Sequence, residues 1–191
     1  MATDEADRRL AAPGDLELVR DFVNTRDLEK GTDRIDAPGR LASWLVDKGL
    51  ARAGYTPTDE DVARARTFRE ALRSMLLGNA GLSPGAGGAE GFDATTRGAR
   101  LEVRTGDTGT MALLPVGEGL DRAIGRLAAI SFAAQEDGSW VRLKACAGCR
   151  WALYDRTKNR SAAWCDAAKC GARARSRRYR ARRREEPLRE H

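Results

Sequence analysis

Apolar residues recur at the three-to-four-residue spacing of amphipathic helices in several stretches of the chain. The predicted helices cover residues 15–26, 38–49, 58–78 and 120–135. Asp15 stands where it can cap the first of them. Thr58, with Asp61 three residues later, resembles a capping box at the start of the third. The pattern therefore predicts a mainly helical N-terminal region.

Strand-like patterns are shorter and come later in the chain. Residues 101–103 and 110–114 alternate in a way that predicts a β-hairpin, and a short strand is predicted just before Cys146. Residues 78–91 contain six glycines without a phosphate-binding motif, so we expect a flexible surface loop there. Helices with one small antiparallel sheet place the fold in the α+β class.

Charge is distributed unevenly along the 191 residues. The net charge is +6, but residues 141–191 carry +11 and the first 140 residues carry −5. A basic C-terminal part on an acidic body indicates a phosphate-rich partner for that part alone. The boundary between the two regions is predicted near residues 137–141, which gives domains of 1–140 and 141–191.

The N-terminal segment is acidic and lacks the apolar core of a signal peptide. No apolar run approaches the roughly 20 residues of a membrane-spanning helix. We therefore expect a cytoplasmic protein with no membrane partner, in which thiols stay reduced.

All four cysteines lie within residues 146–170, as a Cys-x2-Cys pair and a Cys-x4-Cys pair separated by fifteen residues. Such paired thiolates suit one tetrahedral, structural Zn²⁺, because each short loop supplies two ligands. The predicted ligands are Cys146, Cys149, Cys165 and Cys170. A redox dithiol, an iron–sulfur cluster and disulfides remain alternatives, although a redox pair would leave two cysteines unexplained.

Arginine dominates the residues that follow the last cysteine. A helix with this many like charges repels itself in water, and binding to a polyanion relieves that repulsion. The predicted nucleic-acid contacts are Lys169, Arg173, Arg175, Arg177, Arg178, Arg180, Arg182, Arg183 and Arg184. A stripe of Ala168, Ala172, Ser176 and Tyr179 is left to pack against the cysteine unit. A solvated basic tail without a partner is the alternative.

Residues 142–184 resemble the CGNR zinc finger found at the C-terminus of bacterial proteins with an ABATE domain. The matching segments are Cys146-x-x-Cys149, Leu153-Tyr-Asp155, Trp164-Cys165 and Cys170-Gly-Ala-Arg173. Ala172 departs from the motif, because asparagine is usual at that position. The N-terminal segments Leu18–Thr25 and Leu41–Leu45 look like the ABATE domain itself. The resemblance implies a transcription regulator whose N-terminal domain senses a small ligand.

Catalytic residues are not expected. The only histidine is His191, and the cysteines are better explained as ligands than as nucleophiles. The candidate contacts for a small, anionic effector are Asn24, Thr25, Arg26 and Arg40. Termination of the first helix is the competing interpretation of Asn24 and Thr25.

The sequence thus predicts a zinc-containing regulator that binds double-stranded DNA and has a small-molecule-sensing N-terminal domain. An RNA-binding or ribosome-associated module is one alternative. A protein–protein adaptor with a purely structural finger is another. Specific recognition of DNA by one small module would favour a homodimer, although no coiled-coil heptads are present to form one.

Overall fold

The computed structural model describes residues 9–85, 87–105, 107 and 109–185, so His191 lies outside the described residues. The helices are α1 (Leu16–Val23), α2 (Pro38–Asp47), α3 (Asp59–Asn79), α4 (Gly88–Thr96), α5 (Gly119–Glu136) and α6 (Ala172–Glu185). The strands are β1 (Arg26–Asp27), β2 (Thr32–Asp33), β3 (Arg100–Thr105), β4 (Met111–Val116), β5 (Leu143–Ala145) and β6 (Ala152–Tyr154). They pair as three antiparallel two-stranded sheets in the described part of the chain, β1 with β2, β3 with β4 and β5 with β6. The α+β prediction is confirmed.

Helix ends follow local sequence signals in one case and not in another. The capping box at the start of α3 is present, because Thr58 Oγ1 accepts a hydrogen bond from the Asp61 N–H and the Asp61 carboxylate accepts one from the Thr58 N–H. Asp15 makes no cap for α1, and that prediction is wrong. Its carboxylate is instead ion-paired with Arg126 of α5.

The hydrophobic core lies among α1, α2, α3 and α5. The ring of Phe22 on α1 contacts Trp44 at a centroid distance of 5.3 Å and Phe68 at 5.9 Å. The same core continues through Leu143 of β5 and Ala152 of β6. The helical body and the strands that flank the first cysteine pair therefore share one apolar interior.

Two arginines of α3 are buried in this interior. Arg69 is fully buried and donates to both carboxylate oxygens of Asp33, at 2.7 and 2.8 Å. Burial alone would raise the pKa of Asp33, but the hydrogen bonds from Arg69 and the Ile35 N–H, together with the nearby arginine charges, outweigh it and the pKa is lowered. Arg73 donates to the carbonyls of Val23 and Arg150, each at 2.7 Å. These arginines join α3 to the β1–β2 hairpin and to the first cysteine loop.

The glycine-rich segment is only partly the loop that the sequence predicts. Residues 80–85 are irregular, but α4 begins at Gly88 and packs against α3. A Cβ atom at Gly88 would lie 2.4 Å from Ser74 Oγ, so glycine is what permits this close approach. The prediction of a loop to residue 91 is therefore wrong at its C-terminal end.

Strand β5 confirms the prediction of a strand before Cys146, although Trp140–Arg142 forms a 3-10 turn. Within the described ranges, no helix combines the length and the apolar character that crossing a bilayer requires.

Candidate metal centre and basic helix

The four cysteine sulfurs form one cluster. The Sγ atoms of Cys146, Cys149, Cys165 and Cys170 all lie within 4.8 Å of one another. The Cys149 and Cys165 sulfurs are 3.4 Å apart, and those of Cys165 and Cys170 are 3.7 Å apart. Four sulfurs about 2.3 Å from a tetrahedral centre lie roughly 3.8 Å from each other. The spacing thus fits one small metal ion, and no pair forms a disulfide.

The first cysteine pair sits on a tight turn after β5. The Arg150 N–H donates to the Cys146 carbonyl at 2.9 Å, and the Gly148 N–H lies 3.4 Å from Cys146 Sγ. Arg150 closes this turn with a φ of 67°, in the left-handed region. A Cβ atom at Gly148 would lie 3.2 Å from Cys170 Cβ, so glycine lets the second pair approach the first.

The second pair is held by a π-helical turn, Ala167–Gly171. The Asp166 carboxylate accepts from the Ala168 and Lys169 N–H groups, at 2.8 and 2.9 Å, which fixes the start of this turn. The Cys170 N–H donates to the Asp166 carbonyl at 2.9 Å. Helix α6 begins at Ala172, so the last ligand and the first turn of the basic helix are continuous.

Asp155 organises the loop between the two pairs. Its fully buried carboxylate accepts from Lys144 Nζ at 2.8 Å, from the Ala162 N–H at 2.9 Å and from the N–H and hydroxyl of Thr157. Burial raises the pKa of Asp155, but the hydrogen bonds from Lys144 and Thr157 outweigh it and bring the pKa to about 2. The loop that returns the chain to Cys165 is therefore built on one ionised carboxylate.

The closeness of the sulfurs opposes ionisation of the Cys149 and Cys165 thiols. Hydrogen bonding to Cys146 raises the pKa of the Cys149 thiol to about 12 and also raises the pKa of Cys165. The same hydrogen bonds, accepted from Cys149 and Cys165, lower the pKa of Cys146. A metal ion at the centre would offset the repulsion between neighbouring thiolates. A soft, all-thiolate donor set favours Zn²⁺, Cu⁺ or iron. The cluster could therefore bind a metal ion.

Helix α6 is basic on all sides. Its residues from Ser176 to Arg184 are all exposed. All nine predicted nucleic-acid contacts are exposed, namely Lys169, Arg173, Arg175, Arg177, Arg178, Arg180, Arg182, Arg183 and Arg184. Ser176 and Tyr179 do not pack against the cysteine unit, because Tyr179 is 62% exposed, and the predicted stripe is wrong from Ser176 onward. Ala168 is exposed as well. Of the predicted stripe, Ala172 is the residue that is half-buried.

Arg173 differs from the other arginines of α6. Its guanidinium pairs with the Glu29 carboxylate, where Nη2 lies 3.0 Å from Oε2, and it contacts Cys170 Sγ at 3.3 Å. The hydrogen bond to Glu29 raises the pKa of Arg173, and the pKa of Glu29 is lowered in turn. Arg173 therefore connects the cysteine cluster to the β1–β2 hairpin.

Asn24 joins the helical body to the cysteine unit. Its amide group is buried at the end of α1, donating to the Ala152 carbonyl at 2.9 Å and accepting from the Ala152 N–H at 2.7 Å. The side chain thus pairs with β6 as a neighbouring strand would. Thr25 is buried too, donating to the Phe22 carbonyl and accepting from Arg69.

The four residues predicted to contact an effector do not form one group. Asn24 and Thr25 line a cleft of about 810 Å³ between the body and the cysteine unit, together with Trp151, Cys170 and Arg173. Arg26 lines a separate cavity of about 620 Å³ next to α3 and the glycine-rich segment. Arg40 is exposed and paired with Asp36.

We expect replacement of Asn24 by leucine to destabilise the protein by about 2–4 kcal/mol, because it leaves both backbone groups of Ala152 buried without partners. This corresponds to a thermal midpoint roughly 10 °C lower in calorimetry. Leucine at the exposed Asn159 is the matched control and should change the midpoint little. A loss below about 1 kcal/mol in Asn24→Leu would contradict the proposed role of the two hydrogen bonds.

Several structural residues were missed by the sequence analysis. The partners of Asn24, Arg69 and Asp155 are 128, 36 and 11 residues away along the chain. Only Arg69 could have been found from the sequence, because it lies on the apolar face of a predicted helix, where a cation requires a buried acidic partner. The helical spacing does not identify that partner as Asp33.

Comparison with known proteins places the chain in one family. A search of curated proteins gives no match. The model of one family, described as "putative stress-induced transcription regulator" and named ABATE, matches residues 16–175. The match covers α1, the shared core and all four cysteines, and it ends inside α6. The chain therefore belongs to the ABATE family.

Proposed function

We propose that this chain is a DNA-binding transcription regulator in which one Zn²⁺, bound by Cys146, Cys149, Cys165 and Cys170, holds the basic helix α6 in place. The observation that carries the proposal is the continuity between the ligands and the helix. Cys170 is two residues from the start of α6, and nearly all of the arginines beyond it are free of the body.

A single ion is favoured over an iron–sulfur cluster by the spacing of the sulfurs, and a tetrahedral set of four thiolates is typical of Zn²⁺. Sulfurs within 4.8 Å of each other leave room for one ion, whereas an iron–sulfur cluster places several irons and sulfides between its cysteines. Four protein ligands also leave no position for water or substrate. The proposal therefore assigns the metal a structural role and the chain no catalytic one.

The ion would supply the folding energy that this segment lacks. Residues 146–171 contribute few buried apolar side chains of their own, chiefly Leu153 with partly buried Trp151 and Trp164. Structural zinc contributes on the order of 10–16 kcal/mol in small fingers, and that binding energy appears as folding energy. The protein residues then set the direction of α6, through Asp166 at the turn and Arg173 on Glu29.

Helix α6 has dimensions that fit the major groove of duplex DNA. Its 14 residues span about 21 Å, and a helix of about 10–12 Å diameter enters the roughly 12 Å major groove. Exposed guanidinium groups around the whole helix can reach phosphates on both sides of a groove, and one or two can reach base edges. We assign the phosphate contacts to Arg175, Arg177, Arg178, Arg180, Arg182, Arg183 and Arg184, with Lys169 and Arg173 at the near end.

Fluorescence anisotropy with labelled duplex DNA, single-stranded RNA and duplex RNA tests this proposal. We expect the tightest binding to duplex DNA, with affinity falling roughly 100-fold between about 50 and 200 mM salt if four phosphates are contacted. Tighter binding to RNA would instead favour an RNA-binding module. No binding to any of the three at low salt would contradict the proposal and favour a protein–protein adaptor.

We also propose that the cleft beside Asn24 and Thr25 binds a small-molecule effector. It is lined by the body on one side and by Trp151, Lys169 and Cys170 on the other, so a ligand there would touch both parts. Arg34 donates to the Asn24 carbonyl and makes no ion pair among the described residues, so its charge favours an anionic ligand. Native mass spectrometry of the purified protein tests this, and a co-purifying acid lost in the variant Arg34→Ala is the expected result.

A further inference from the structure

The β3–β4 hairpin leaves an apolar surface and a strand edge uncovered. All six residues of β3 are exposed, and in the described part of the chain β3 pairs with β4 alone. Val103 and Met111, on the same face of the ribbon, are 64% and 72% exposed. An exposed edge with apolar side chains is a template for pairing with another strand.

The covered end of the ribbon shows which face is apolar. Pro115 of β4 and Leu101 of β3 pack against α5. A Cβ atom at Gly125 of that helix would be 3.2 Å from Pro115 and 3.5 Å from Leu101. Val103 lies two residues from Leu101 and therefore points to the same side, beyond the contact with the helix. Phe132 is 52% exposed and lies two helical turns from Gly125, on the same side of α5. The exposed apolar positions thus extend outward the face that packs against α5.

The sequence of β3 is complementary to itself. In an antiparallel pair related by a two-fold axis at Val103, residues 102 and 104 of one strand oppose residues 104 and 102 of the other. Glu102 of each copy then faces Arg104 of its partner, twice across the interface. Both side chains are exposed and at present pair with each other along the strand, with Arg104 Nη2 2.7 Å from Glu102 Oε2.

The helices behind the strands also fit this arrangement. Strands lie about 4.8 Å apart in a sheet, so two ribbons joined at their β3 edges place the centres of the ribbons about 10 Å apart. Helices packed behind those ribbons would then lie side by side at the usual interhelical distance of about 8–10 Å or slightly beyond it. The result is a four-stranded sheet, β4–β3–β3–β4, covered by two copies of α5.

We propose that the outer edge of β3 is a homodimer interface, in which Val103 lies on the two-fold axis and Glu102 and Arg104 pair between the two copies. This inference goes beyond the proposed function and does not depend on it, because the hairpin lies outside the cysteine unit and α6. If both hold, the dimer carries two basic helices.

Sedimentation of the full chain, with its metal and without nucleic acid, tests the interface. We expect wild type to sediment at twice the 20.8 kDa of the chain, with a micromolar or tighter dissociation constant. Glu102→Arg places two arginines opposite each other twice, and Arg104→Glu does the same with two glutamates. Each variant alone should dimerise roughly 30-fold more weakly than wild type. An equimolar mixture of the two should recover the dimer, because each arginine then opposes a glutamate.

The mixture separates pairing between copies from effects within one chain, since the repulsion inside each variant strand is unchanged on mixing. Arg52→Glu is the matched control, because Arg52 is highly exposed on the loop before α3 and should leave the dimer intact. Circular dichroism reports folding, which substitutions at exposed positions should not alter. A monomeric wild type would overturn the proposal, and so would single variants that dimerise like wild type or a mixture that stays monomeric.

Discussion

Replacement of Cys165 by alanine is expected to abolish metal binding and to unfold the segment from Cys146 to the first turns of α6. Cys165 is only half-buried, so the loss of its sulfur as a packing group is small. The loss of one ligand, however, removes much of the roughly 10 kcal/mol or more that a structural zinc contributes. That amount is comparable with the whole stability of an ordinary domain, about 5–15 kcal/mol.

Hydrogen exchange read by mass spectrometry distinguishes this local unfolding from a general one. Peptides containing the Cys146 and Cys170 amides, which donate to Trp151 and Asp166 in the folded protein, should lose their protection. Peptides from α3, whose Phe68 and Leu72 lie in the main core, should keep most of theirs. Chelation of wild type should reproduce the pattern and added Zn²⁺ should reverse it. Unchanged protection around Cys146 in the variant would contradict a metal-dependent fold for this segment.

The double substitution Arg177→Ala and Arg180→Ala is expected to weaken binding to duplex DNA without affecting metal content or folding. Both side chains are exposed on α6 and make no ion pair among the described residues. If each contacts one phosphate, the salt slope falls by roughly two units, and affinity at about 0.1 M salt falls roughly 50-fold. Anisotropy titrations over a salt series measure both quantities.

The matched control for this variant removes the same charge from the acidic body. Arg52 and Arg97 are exposed there, so the double variant Arg52→Ala and Arg97→Ala has the same net charge as the α6 variant. Its salt slope should equal that of wild type. Equal weakening in the two double variants would mean that net charge, and not the helix, determines binding. An unchanged slope in the α6 variant would rule out phosphate contacts by Arg177 and Arg180.

Local signals in the sequence predicted much of this fold. The Thr58–Asp61 capping box, the apolar stripes of α1, α3 and α5, and the hairpin of β3 and β4 all depend on residues close together in the chain. The cysteine spacing was equally local, because each pair closes its own turn. Family resemblance was confirmed over residues 16–175.

The features that were missed depend on contacts between distant residues. Sequence pattern predicted that Asn24 ends a helix or contacts a ligand, whereas its amide pairs with Ala152. Likewise, Asp15 is of a residue type that commonly caps helices, but its carboxylate forms an ion pair with Arg126. Glycines at 87 and 88 suggested a loop, although Gly88 is required for α4 to approach Ser74. In each case tertiary packing overrides a local preference.

One metal ion, bound by the four cysteines, is expected to organise the C-terminal quarter of the protein. Elemental analysis of freshly prepared, fully reduced protein, with circular dichroism on the same sample, tests it most directly. One zinc per chain in the folded sample is the predicted result. A well-folded sample that contains no transition metal would contradict it.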